Sequence, residues 1–189
     1  LVECSLVEAM VDEADLTEAK VVMSDLSRID LRGTKLGEAK FVQCKMPKAR
    51  FDGASFEDTA IVKCELPEAQ FAGATLTKFH LDTSVLPGAN FSNITANEAT
   101  FSAADLTGAS FGGATLDKAM FPAANLTGAN FEGATLENSV FMAANLTGTQ
   151  LSKNMYFCVF NEAYVLPAGT EPPEDIDPTE WPLDLSGYD

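Results

Sequence analysis

The sequence has little of what catalytic and nucleic-acid-binding sites are made of. His80 is its single histidine, and no converging serine, cysteine or carboxylate pattern accompanies it. Lys and Arg number 12 against 28 Asp and Glu, so the net charge is −16. Phosphate contacts require a basic face, and we therefore expect no direct binding of nucleic acid. We expect His80 to lie on the surface of a chain with no catalytic residue, metal or cofactor.

Cysteines are few, and no apolar run is long. Cys4, Cys44, Cys64 and Cys158 match no zinc-binding spacing, and we interpret them as small buried residues. The alternative is a disulfide between Cys44 and Cys64, which would imply an oxidising compartment. No stretch approaches the run of about 18 apolar residues that a membrane-spanning helix needs, so we expect no membrane span. No secretory signal pattern is visible at the N-terminus.

What the sequence does have is a five-residue repeat. A large apolar residue recurs at every fifth position from Leu1, except at Ala96, and most regularly from Phe101 to Phe141, and a small residue usually lies two positions earlier. Phe101, Phe121 and Phe141 add a second period of 20. Four units of five make one 20-residue coil, so the pattern predicts a four-sided coil that stacks on the next at about 4.8 Å. Neighbouring coils would bury the apolar residues between them.

The residues after each apolar centre predict tight corners. Pro follows the centre at Pro47, Pro67 and Pro87, and Gly is frequent one position later, as in Pro87-Gly88. Pro followed by Gly is typical of a type II turn, because Pro presets the first φ and Gly accepts a positive second φ. We therefore expect a type II turn at the corners of each coil.

The register predicts two regions. It runs to Tyr156 and then slips by one residue, which makes Phe160 and Val165 the next apolar centres. We expect a solenoid of about eight coils over residues 1–166 and an irregular acidic, Pro-rich tail over residues 167–189. The tail has no Lys or Arg and carries spaced apolar residues, so both a tail docked on the solenoid or a partner and a free tail remain open. Its candidate partner contacts are Trp181, Leu183, Leu185, Tyr188, Glu171, Glu174, Asp175 and Asp177.

The repeats resemble those of the pentapeptide-repeat family, whose unit reads A(D/N)LXX. AADLTG, AANLTG and GANFEG are close to this consensus, and the resemblance covers about residues 1–166. It implies an all-β fold, a right-handed quadrilateral parallel β-helix. Some members of the family mimic DNA and protect topoisomerases, and many occur in cyanobacteria and plastids, including the thylakoid lumen.

The resemblance leaves two functions open. The first is a non-catalytic structural or protein-binding module, an accessory subunit of a photosynthetic membrane complex in the thylakoid lumen, with the cytoplasm as the alternative location. Its protein partner would dock at the N-terminal end, where no cap precedes the register at Leu1, or at the tail; preceding residues are the other way to cover that end. The second function is DNA mimicry with gyrase protection. Charge is thin over residues 79–165, which carry 7 acids and 2 bases, and this disfavours the second function.

Overall fold

In the computed structural model of the protein, which describes residues 1–155 and 158–160, the backbone winds as a four-sided parallel β-solenoid. No helix occurs in the part of the chain that it describes. Five short strands stack in chain order along one face, and each pairs in parallel with the residues 20 positions further on. These are β1 (Lys20–Val22), β2 (Lys40–Val42), β3 (Ala60–Val62), β4 (His80–Asp82) and β5 (Thr100–Ser102). The all-β solenoid expected from the repeat is confirmed.

The other three faces stack with the same 20-residue step. Ser5 pairs with Asp25, Met10 with Asp30 and Asp15 with Lys35, each through an isolated parallel bridge. The five strands span four coil steps, fewer than the eight coils expected, because before β1 and after β5 the same face pairs only through single residues, as Val2 with Val22 and Thr100 with Met120. The same pairing nevertheless extends from Val2 to Val159.

Each five-residue unit turns two side chains inward. In the unit Ala124–Gly128, Ala124 and Leu126 are buried, Asn125 between them points outward, and Thr127 and Gly128 form the corner. Small and large inward side chains alternate and together fill the interior of the coil. This is why the small and large positions of the sequence repeat so strictly. Larger inward residues fit as well, since Ile29, Phe79 and Ile94 are all buried.

The corners adopt the turn that Pro-Gly favours. Every unit from residue 3 to residue 148 has a positive φ at its second corner residue, whether that residue is Gly or not. In most units the next residue donates a hydrogen bond back to the centre, as from the Ala129 N–H to the Leu126 carbonyl at 2.9 Å. The turn geometry predicted from the sequence is confirmed. Many of the residues with positive φ are not Gly, and for them this backbone conformation is sterically unfavourable.

Stacked phenylalanines fill the second half of the interior. Phe91, Phe111 and Phe131 lie almost parallel, with ring centroids 4.9 Å and 4.7 Å apart. Phe101 and Phe121 form an adjacent stack at 4.8 Å, and the two stacks meet edge to face. These offset and edge contacts are the favourable geometries of aromatic pairs, so the core is a solid column.

The register slips earlier than the sequence predicted. Asn130 pairs with Gln150, 20 residues on, but Thr135 pairs with Asn154, only 19 residues on. One residue is therefore lost between Gln150 and Asn154, not after Tyr156. The reason is that Ser152 turns inward and its hydroxyl donates to the Ala134 carbonyl at 2.5 Å.

After the slip, Met155 takes an inward position and is buried. Phe160 stacks on Phe141 at 5.1 Å, and Cys158 is buried beside it, as expected from the sequence. Val165 lies outside the described residues, and the boundary near residue 166 stays a prediction.

The positive corner φ can be tested with a reciprocal pair of substitutions. Gly128 has φ +66° and no atom within 4 Å of an added Cβ, whereas Ala123 occupies the same corner position with φ 54°. We expect Gly128→Ala to lower the free energy of unfolding by about 1 kcal/mol and Ala123→Gly to raise it by a similar amount. Urea denaturation measures both. Changes of the same sign in the free energy of unfolding of the two variants would contradict the positive φ at these corners.

Candidate functional site

The interior of the solenoid leaves no room for a ligand. Phe111, Leu116, Phe121 and Leu126 are fully buried, and the same holds for nearly all inward residues from Leu26 to Leu146. In the described part of the chain, no group of three or more His, Cys, Asp or Glu residues could hold a metal ion. Any functional site of these coils must therefore lie on the outer faces, at the corners or at an end.

The carboxylates that recur in the repeat accept hydrogen bonds from the next corner, a contact here called the turn lock. Asp25 Oδ1 accepts the Ser27 N–H at 2.9 Å and the Ser27 hydroxyl at 2.5 Å, and Asp15 binds Thr17 in the same way. These hydrogen bonds lower the pKa of both carboxyl groups. Three further pairs repeat the contact: Asp105–Thr107, Asn125–Thr127 and Asn145–Thr147. The (D/N)LT element stabilises a corner, and these carboxylates do not converge on a reaction centre.

A ladder of thiols and hydroxyls lines the small inward position behind β1 to β4. The Cys44 N–H donates to Cys64 Sγ at 3.2 Å, and the Cys64 N–H donates to Ser84 Oγ at 3.0 Å. The Cys4 N–H likewise donates to Ser24 Oγ at 3.1 Å. At most other corners this N–H closes the turn by donating to the carbonyl of the preceding centre. At corners where this backbone N–H does not donate to the carbonyl of the preceding centre, a Cys or Ser side chain of the next coil accepts its hydrogen bond.

The cysteines have the burial expected of small inward residues. Cys44, Cys64 and Cys158 are buried and Cys4 is half-buried, and all four are free thiols, so the alternative of a bond between Cys44 and Cys64 is not formed in this structure. The contact with Cys44, followed by burial, raises the pKa of Cys64, and the same contact lowers that of Cys44. Burial raises the pKa of Cys158 to about 12. The hydrogen-bonded role of these cysteines was missed by the sequence interpretation.

His80 lies in β4 and is exposed, as expected. Its neighbours along the stack are Ala60 and Thr100, which offer no titratable partner.

The first coil forms an apolar mouth with an acidic rim. Met10 is 75% exposed, and a cavity of about 440 Å³ opens at this end. It is lined mainly by the inward residues of the first coils, among them Leu6, Val11 and Leu16. The second residue of each of the four corners of this coil is acidic: Glu3, Glu8, Glu13 and Glu18. Glu8 also forms an ion pair with Arg28 at 2.6 Å.

The candidate contacts in the tail lie outside the described residues. They are Trp181, Leu183, Leu185, Tyr188, Glu171, Glu174, Asp175 and Asp177. The structure does, however, reveal an exposed apolar area that sequence reasoning missed, at Met120, Val140, Met142 and Val159. The sequence could have predicted this area, because all four apolar residues occupy positions of the repeat that face outward or form a corner.

The fold and the repeat define the class of the protein. Residues 74–151 match the family described as pentapeptide repeat region, and residues 24–60 match the family of pentapeptide repeats (8 copies). The chain belongs to the pentapeptide-repeat proteins. No curated protein sequence matches it.

Solved structures of other pentapeptide-repeat proteins are similar. QnrB1, described as a plasmid-mediated fluoroquinolone resistance protein, has a TM-score of 0.74 and 18% identity, covering 84% of this chain and 90% of its own. HetL, from the cyanobacterium Nostoc and involved in heterocyst differentiation regulation, has a TM-score of 0.48 and 21% identity over 92% and 91%. A protein of the Arabidopsis thaliana thylakoid lumen is 43% identical over 42% of this chain and 59% of its own, with a TM-score of 0.29. The likeness to QnrB1 establishes the fold.

No helix long and apolar enough to cross a membrane is found among the described residues.

The hydrogen bonds of Asp25 to Ser27 can be tested separately from the negative charge of Asp25. We expect Asp25→Ala to lower the free energy of unfolding by about 1 kcal/mol at neutral pH, because the Ser27 contacts are lost. Asp25→Asn should be close to neutral, since Asn125 makes the same contacts with Thr127. Thermal unfolding at neutral pH measures both variants. Equal losses in the two would contradict a hydrogen-bonding role.

The pH dependence of this lock follows from the lowered pKa of Asp25. The stabilisation is complete above the ordinary value of 3.8 and is lost as the pH falls through the lower folded value. We expect Asp25→Asn to retain more of its stability than the wild type across that acidic window, because its amide does not titrate. A wild type and variant that lose stability in parallel would contradict this.

The acceptor role of Cys64 predicts a difference between two small replacements. Cys64→Ser keeps an acceptor for the Cys44 N–H, as Ser84 does for Cys64, and we expect only a small change in stability. Cys64→Ala leaves a buried N–H without that partner and should cost about 1–3 kcal/mol. Chemical denaturation under reducing conditions distinguishes the two. Equal stability of the serine and alanine variants would show that the Cys is only a space filler.

Proposed function

We propose that the protein is a non-catalytic, protein-binding module that acts as a rigid rod. The observation that carries this proposal is the filled interior, in which the inward residues pack into one continuous core from Val21 to Phe160. The depressions on the outer faces are shallow and are lined by corner and outward residues such as Gly37 and Pro47. A solid core with flat, rigid faces suits contact with another macromolecule better than enclosure of a small substrate.

The two ends of the chain are the proposed contact regions. The first coil offers exposed apolar side chains at Leu1, Val2 and Met10 close to its acidic corner residues, which suits a partner with apolar and basic residues. The tail offers the acidic and apolar residues named above. Partners recognised by either region are proteins with a basic contact surface.

The arrangement of charge does not favour DNA mimicry. Along the outward columns of the first coils, opposite charges follow one another: Asp25 pairs with Lys45, which pairs with Glu65, and Asp30 pairs with Arg50. Such neighbours attract each other and interrupt the continuous negative row that mimicry of a phosphate backbone needs. The later coils carry mainly Asn, Thr and Ser in these positions. The function of a topoisomerase-protecting protein is therefore the weaker candidate.

The place of action we propose is the thylakoid lumen, with the module as an accessory component of a photosynthetic membrane complex. Support comes from the resemblance of the repeats to a family with many members in photosynthetic organisms. The proposal is tested by immunolocalisation of the native protein, and detection in the cytosol would reject the location while leaving the binding role open.

Affinity capture from the native source tests the binding role and the contact region together. We expect the wild-type chain to recover subunits of a photosynthetic membrane complex. Reversing the rim with Glu13→Lys and Glu18→Lys should abolish recovery if the first coil is the contact, because a basic partner would be repelled. Glu98→Lys, an exposed corner residue far along the solenoid, is the matched control and should retain the partner.

Removal of residues 167–189 tests the second region in the same experiment. Recovery that is lost only with the truncation assigns the contact to the tail. Recovery of gyrase or topoisomerase would reverse the ranking of the two functions, and capture of no specific partner by the wild type would contradict the proposed function.

A further inference from the structure

The face that carries β1 to β5, here called the strand face, ends in an exposed apolar patch. The patch consists of Met120, Val140, Met142 and Val159. Met120 is 42% exposed, Met142 45% and Val159 40%, and Val140 is half-buried. Met120, Val140 and Val159 follow one another as bridge partners in successive coils, so the patch is continuous.

The other outward columns of the same coils are polar, which sets the patch apart. One column holds Asp105, Asn125 and Asn145, the next Ser110, Asn130 and Gln150, and the third Thr115, Thr135 and Asn154. Earlier in the chain the strand face is mixed, with Lys40, His80 and Thr100 along one edge and the half-buried Val22, Val42 and Val62 along the other. An apolar area confined to one face of the last coils marks a contact surface. Methionine suits such a surface because its side chain adapts to a partner.

We propose that the C-terminal segment of this chain, residues 161–189, packs its apolar residues on this patch. The described chain ends at Phe160, directly after Val159 of the patch, and 29 residues follow. The segment therefore starts beside the surface that it would cover. This inference concerns the chain itself and does not depend on the proposed partner or location, and it leaves the acidic residues of the tail as the ones that a partner can contact.

The sequence of the segment matches the patch in pattern and length. Trp181, Leu183 and Leu185 alternate with Pro182, Asp184 and Ser186, so in an extended conformation the three apolar side chains lie on one side. They would span about 13 Å at about 3.3 Å per residue. The column from Met120 to Val159 covers two coil steps, about 10 Å at about 4.8 Å each.

Charge at the patch is compatible with an acidic segment. Lys118 is exposed at the corner two residues before Met120, beside Asp117 and, one coil on, Glu137, and Lys118 and Lys153 are the two lysines after Lys78 in the sequence. Asp184 and Glu180 flank the apolar residues of the segment. With the apolar side chains against the patch, these carboxylates remain at the water-exposed edge or near Lys118, where they require no desolvation.

The single tryptophan of the chain, Trp181, reports directly on this contact. In the wild type we expect Trp181 emission at shorter wavelength than in the urea-unfolded chain, and restricted quenching by acrylamide. The double variant Met120→Asp/Met142→Asp should shift the emission toward the unfolded value and raise the quenching constant several-fold. The matched control is Val85→Asp, because Val85 is also 42% exposed but lies on another face. The control should behave as the wild type does.

A variant on the segment keeps the test independent of solenoid folding. Leu183→Asp leaves the coils unaltered and should expose Trp181 as the patch variant does, while circular dichroism and the unfolding midpoint of the coils show a folded solenoid in every variant. Wild-type emission equal to that of the unfolded chain would overturn the proposal. So would a protected Trp181 that the patch variant does not affect, since the segment would then pack elsewhere. A patch variant that converts a dimer to a monomer in sedimentation, with no change at Trp181, would assign the patch to a second copy and also overturn it.

Discussion

The hydrogen bonds between successive coils are the interaction on which the rest of the structure depends. They form between residues that face each other in successive coils, 20 positions apart as at Asn125 and Asn145, and 19 positions apart only after the slip at Gln150–Asn154. Two inward side chains per unit then meet their equivalents in the next coil, as Phe111 meets Phe131 at 4.7 Å. Backbone pairing and core packing therefore impose the same period. This explains why the residue types at the two inward positions of each unit vary so little.

This constraint moves function to the outside of the rod. Inward positions are committed to the core, and even the Asp or Asn of the repeat is committed to a corner, as at Asp25. The remaining freedom lies in the outward columns, which change along the chain from alternating charges through Asn and Thr to the apolar patch at Met120. If such a rod binds a partner, the residues on its flat outer surface determine which partner it binds.

The sequence predicted the fold because one apolar residue in five and one period of 20 describe the coil almost completely. It did not predict the ladder at Cys44 and Cys64, since that depends on which corners close their own turn, a matter of backbone geometry. It placed the slip after Tyr156 because Ser152 carries no apolar signal for its inward turn. The exposed rim and the apolar patch are visible in the sequence once the outward positions are known. The contacts of the tail stay predictions.

Amide hydrogen exchange measured by NMR tests the central account most directly. In the unit from Asn125 to Ala129, four amides donate to backbone carbonyls, and the Thr127 amide donates only to the Asn125 side chain. The account predicts protection with a period of five residues along the solenoid, weakest at each position equivalent to Thr127 and interrupted once between Gln150 and Asn154. Protection that alternates with a period of two, or that has no period of five, would contradict a coil held together by stacked five-residue units.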